Sequence, residues 1–125
     1  MFDPNRKARV KLEHKIQYND PLEITFGQRV IVGPEDNEFP GWKWCRSADG
    51  RAGWVPVEFL SIVGTSSEAI VLDDYSAREL AVLPGEEVVV EEARHHWLLV
   101  RNANGQRGWI PERNTELLRK AATDR

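Results

Sequence analysis

Trp42-Lys-Trp-Cys-Arg-Ser-Ala-Asp-Gly-Arg-Ala-Gly-Trp-Val-Pro56 returns further along the chain as Trp97-Leu-Leu-Val-Arg-Asn-Ala-Asn-Gly-Gln-Arg-Gly-Trp-Ile-Pro111. Seven of the fifteen aligned positions are identical without a gap, where ordinary composition gives about one match. The chain is a duplication. Working outward, Leu22 and Gly27 correspond to Leu80 and Gly85, and the segment from that glycine to the first Trp is three residues longer in copy one. Length variation of this kind marks a surface loop.

The local signals within each copy are those of short strands. Arg29-Val-Ile-Val32 and Glu87-Val-Val-Val90 are β-branched runs that follow a glycine, as strands leaving a turn do. Trp42 to Arg46 and Trp97 to Arg101 read as the next strands, followed by turns at Asp49-Gly50 and Asn104-Gly105, dipeptides that supply the positive φ of tight hairpins. Gly53-Trp54-Val55 and Gly108-Trp109-Ile110 return, and the Pro that follows removes a ladder donor. Between Val63 and Ala69, the segment Gly-Thr-Ser-Ser-Glu has the composition of a short flexible hinge. After Pro111 the chain is expected to complete its last strand and then form a helical turn, with Ala121 to Arg125 frayed.

The spacing of Gly85, Trp97, Gly105, Gly108 and Pro111, preceded by Val71-Leu-Asp-Asp-Tyr75-Ser-Ala77 and Glu79-Leu80, resembles the Src homology 3 family. Copy one keeps the same frame at Val10-Lys-Leu-Glu-His14, Leu22, Gly27, Trp42, Gly50, Gly53, Pro56 and Phe59, and looks like the divergent bacterial variant of the family. The resemblance implies an all-β protein of two tandem SH3-like barrels, about five strands each. The boundaries expected are a first barrel in residues 1–63 with its core at 8–63, a linker at 64–68, a second barrel at 69–118 and a tail at 119–125.

Composition sets the outer limits. The 125 residues are 41% hydrophobic and 30% charged, with five Trp, a soluble, folded type of chain in which aromatic rings supply much of a small core. Net charge is −3, and neither half is basic. Nucleic acid and anionic membrane are therefore disfavoured partners. The single cysteine, Cys45, forms no internal disulfide, and the N-terminal residues lack the apolar core of a signal peptide, so a reducing cytoplasmic setting is the expectation. No apolar run is long enough to cross a bilayer. Phosphate-loop, nucleophile-elbow and zinc-protease motifs are all missing, which leaves no reason to expect an enzyme, a metal or a cofactor.

What the resemblance implies about function is a shallow aromatic groove for an extended, proline-rich peptide, whose polyproline II form is already ordered before binding. Carried over by position, the groove of copy one is His14, Tyr18, Trp42, Trp44, Pro56 and Phe59, with Leu12 where a family tyrosine would stand and Tyr18 a substitute from the neighbouring loop. Copy two offers Tyr75, Trp97 and Pro111, with Asp73 and Asn114 replacing family tyrosines. Glu35, Asp36 and Glu38 lie in the longer loop before Trp42 and are candidate partners for a basic ligand residue. Trp54 and Trp109 read as packing residues, Cys45 as a small core residue, and His95-His96 as a solvated loop. A second reading makes the aromatic faces an interface between domains or subunits, in a monomer or weak homodimer.

Overall fold

The computed structural model describes residues 6–118, and within them every regular element is a strand or a single 3-10 turn. Two compact units emerge, and their boundaries do not follow the repeats. One unit is the unbroken segment Tyr18–Arg78; the other joins residues 6–17 to residues 79–118. We call them the contiguous and the split barrel.

The contiguous barrel contains β2 (Glu23–Ile24), β3 (Arg29–Glu35), β4 (Trp42–Arg46), β5 (Ala52–Pro56), β6 (Leu60–Ile62), β7 (Glu68–Val71) and β8 (Tyr75–Ser76). Its five-stranded antiparallel sheet runs β5-β4-β3-β7-β6, and β2 pairs separately with β8. The split barrel contains β1 (Arg6–Val10), β9 (Glu87–Arg94), β10 (Trp97–Arg101), β11 (Arg107–Pro111) and β12 (Thr115–Leu117), in the order β11-β10-β9-β1-β12. The two orders are the same pattern. In each, a leading strand lies between the strand after the loop glycine and the last strand, but that leading strand comes from the other repeat.

This corrects the expected partition into barrels at 8–63 and 69–118: the leading strands, β1 and β7, have changed places. The connector explains the choice made by β7. In place of a hinge, residues 63–67 form a hairpin turn, in which Val63 N donates to the Glu68 carbonyl at 2.9 Å and Ser66 N to the Val63 carbonyl at 3.0 Å. The register that follows, Ile62↔Ala69, Ser61↔Ile70 and Leu60↔Val71, carries β7 straight back along β6. A connection of hairpin length favours its immediate neighbour, since any other partner has to be reached through a longer and more extended link.

Alternation then builds each core. In the split barrel Ala8, Val10, Leu80, Val82, Val88, Val90, Leu98, Val100 and Ile110 form one buried cluster. Leu22, Ile24, Val30, Cys45, Val55, Ala69 and Val71 occupy equivalent positions of the contiguous barrel, and Leu60 of β6 is buried with them. Burial pushes the Cys45 thiol up to about 12, with nearby Lys43 opposing it only weakly, so the residue behaves as the core side chain expected of it.

Glycines of the repeat have two separate uses. Gly50 and Gly105 take φ of +90° and +83° at the hairpin tips, where a side chain would be strained. Gly108 is needed for space: a Cβ there would lie 2.6 Å from the Glu79 carbonyl carbon and 2.7 Å from Leu80 N. The chain entering the split barrel passes directly over β11. At the end of each repeat the helical turn precedes the last strand rather than following it, as Val57–Phe59 before β6 and Glu112–Asn114 before β12. The tail expected to fray lies outside the described residues.

Candidate functional site

The strand exchange decides which aromatic residues meet. In the contiguous barrel, Trp42 at the start of β4 and Pro56 at the end of β5 are Cα partners. Phe59, on the helical turn that follows, packs its ring against Tyr75 of β8, with centroids 5.1 Å apart and planes at 55°. Leu72 N donates to the Phe59 carbonyl at 2.8 Å and brings the leading arm to this spot. The Tyr75 hydroxyl donates to the Trp54 carbonyl at 2.8 Å, which fixes the ring's tilt. Trp42 is 4% exposed, and Phe59 and Tyr75 are each 8% exposed.

A second aromatic set lies on β4 and β5 of the same barrel. Trp44 and Trp54 face each other across the strands, 5.0 Å apart and edge-on, and Tyr18 leans on Trp44 at 5.3 Å. Tyr18 is 41% exposed. The acidic loop is partly occupied with its own backbone: Glu35 accepts from Gly41 N at 3.0 Å, Asp36 accepts from Glu38 N at 3.3 Å, and Asp36 N donates to the Trp42 carbonyl. The loop's backbone is thereby tied to Trp42.

The split barrel places different chemistry at the matching positions. Trp97 and Pro111 are Cα partners, as Trp42 and Pro56 are. Here, however, the arm supplies His14, whose ring meets Trp97 edge-on at 5.6 Å. Its Nε2 lies 2.7 Å from Glu79 Oε1, and Gln17 N donates to the other Glu79 oxygen at 3.3 Å. Both His14 and Glu79 are 7% exposed. Asn114 stands where Phe59 stands in the other barrel, and its amide donates to the carbonyls of Leu12 and Glu13. An aromatic stack is replaced by a polar clasp on the arm's backbone.

The two site lists drawn from the sequence are thus redistributed. Of His14, Tyr18, Trp42, Trp44, Pro56 and Phe59, the structure separates His14 into the split barrel, while Tyr75 leaves Trp97 and Pro111 to join Trp42, Pro56 and Phe59. The cause is the exchange of arms, since His14 and Tyr75 both sit just beyond the leading strands. In the sequence, Glu79 stands out only as part of a Glu-Leu pattern. The signal for it was faint: copy one has Pro21 at the equivalent place, so a buried carboxylate in copy two called for a partner from elsewhere.

Small five-stranded barrels with a Trp and a Pro paired across the mouth define the class as SH3-like. The chain belongs to that family: residues 7–63 match the Variant SH3 domain and residues 70–112 match the SH3 domain, in tandem. Both matches run along the contiguous repeats, whereas the barrels cross between them. No curated protein matches the chain.

Proposed function

We propose that the protein works without catalysis, as an adaptor in which the Trp42, Pro56, Phe59 and Tyr75 cluster holds an extended, proline-rich segment of a partner. SH3 domains are protein-interaction modules, and this chain carries two. The observation that supports the reading most directly is the Phe59–Tyr75 stack in the same barrel as the Trp42–Pro56 pair, since flat rings accept the ridges of a polyproline II helix. Glu35, Asp36 and Glu38 add a preference for Arg or Lys next to the apolar stretch. Trp44 and Tyr18 extend the aromatic area of that barrel, and Trp97 and Pro111 form a weaker second site, poorer in rings.

The test is titration of Trp fluorescence with proline-rich peptides, with and without a flanking Arg, on wild type and on Trp42→Ala. Saturable binding that disappears in a variant with wild-type circular dichroism supports the groove. No saturation by wild type, or undiminished binding by the folded variant, removes it.

The low exposure of Trp42, Phe59 and Tyr75 favours a second reading, in which the rings serve packing or association and receive no ligand. Sedimentation distinguishes this one. A concentration-independent monomer that binds peptide leaves it without support.

A further inference from the structure

The two leading arms present nearly the same buried surface to their barrels. Ala8 and Val10 on one, Ala69 and Val71 on the other, are each at most 1% exposed, and each pair lies between equivalent strands. Apolar packing therefore does not tell one arm from the other. Four residues beyond the Val, however, the arms differ: His14 on one, Tyr75 on the other. The barrels differ at the facing position, Glu79 before Leu80 and Pro21 before Leu22.

We propose that the His14–Glu79 pair selects which leading arm closes which barrel. In the observed arrangement the imidazole and the carboxylate meet at 2.7 Å inside the split barrel, and Glu79 also accepts from Gln17 N. Were each repeat to close on its own arm, His14 would face Pro21, which has no acceptor in its side chain. Glu79 would be buried against an arm carrying Tyr75. Two polar groups would be left in the interior without each other, and leaving one partner of a buried pair behind is far more damaging than never having had the pair. Buried polar pairs act elsewhere as register selectors for this reason. The hairpin turn at 63–67 pulls in the same direction, so it has to be neutralised before the pair is tested.

The test uses the full chain with a long Gly/Ser insertion after Ser66, which removes the hairpin's preference. Two cysteine pairs report the arrangement. Arg9→Cys with Glu116→Cys joins Cα partners of the observed β1–β12 ladder. Arg9→Cys with Ser61→Cys joins the positions that would be partners if β1 paired with β6, because Ser61 now faces Ile70, the counterpart of Arg9. Intramolecular cross-links are mapped by mass after oxidation in dilute solution. With His14 and Glu79 present, only the first pair should cross-link. The variant His14→Tyr with Glu79→Pro gives the split barrel the contiguous barrel's own residues, and there both pairs should cross-link, the second rising by about a hundredfold. The reversed pair, His14→Glu with Glu79→His, should restore the first pattern. Three results overturn the proposal: both pairs cross-linking already in the long-linker parent, only the first pair cross-linking in the Tyr/Pro variant, or loss of cooperative unfolding in that variant, which would deny the equivalence of the two barrels.

Discussion

Tyr75 shows how one polar atom sets a ring. Its hydroxyl ends on the Trp54 carbonyl at 2.8 Å while its ring packs on Phe59. Tyr75→Phe keeps the stack and loses the bond, and chemical denaturation should read a loss of about 1 kcal/mol. Gly108 has no such latitude. The 2.6 Å approach of a Cβ to the Glu79 backbone sets two main chains against each other, so Gly108→Ala should destabilise by about 2–3 kcal/mol, an overpacking effect. Cys45, held up to about 12 by burial, should resist alkylation at neutral pH in the folded protein and react only on unfolding. These residues were legible in part. The duplicated Gly-Trp-x-Pro pattern marked the glycine, and the alignment of Cys45 with Val100 marked a core position.

Hairpins show where local sequence overrides propensity. Arg94 and Trp97 are partners, which leaves His95 and His96 as a two-residue turn with φ of 44° and 72°. Such turns want Asn or Gly. His96→Gly should therefore raise stability by about 0.5–1 kcal/mol, measured by the denaturation midpoint at unchanged slope. A turn of this tightness was not readable from two histidines, whose chemistry suggested only a solvated loop. Across β9, β10 and β11, Glu91 accepts from Arg101 at 3.1 Å and Arg107 at 2.6 Å. Burial pushes its carboxyl up, yet the two guanidiniums prevail and hold it below the usual 4.5. A depressed folded-state value means the stabilisation is full above the unfolded value and is lost as pH falls below it. Glu91→Gln should thus be less stable than wild type at neutral pH, and the gap should narrow in acid unfolding as pH falls below the usual carboxylate range.

For the whole molecule, the strands and the number of barrels were written in local spacing, and they fold as read. Which leading strand enters which barrel was not. Ala-x-Val occurs in both arms, and pattern alone cannot distinguish identical buried pairs. The information lies in a pairing between residues 65 positions apart and in the geometry of a five-residue turn, neither of which has a local signature. The exchange also changes what counts as a foldable piece. Residues 18–78 hold a complete sheet with its own core, so this fragment alone should unfold cooperatively with dispersed amide resonances. Residues 7–63, the stretch matched as one domain, lack β7 and β8 and should not. Residues 18–78 bear ten carboxylates against five cationic groups, which makes the contiguous barrel the acidic member of the tandem.

The order of synthesis gives β1 an unusual history. It is made before the other described strands, yet its neighbours β9 and β12 come only after the whole of the contiguous barrel. The contiguous barrel can close as soon as residue 78 is free, while β1 waits for β12. A strand that waits with its edges open invites aggregation. Arg6, Lys7 and Arg9 in the strand, with Lys11 and Lys15 just beyond it, flank its two buried residues with positive charge, and like charges at an open edge oppose pairing between chains.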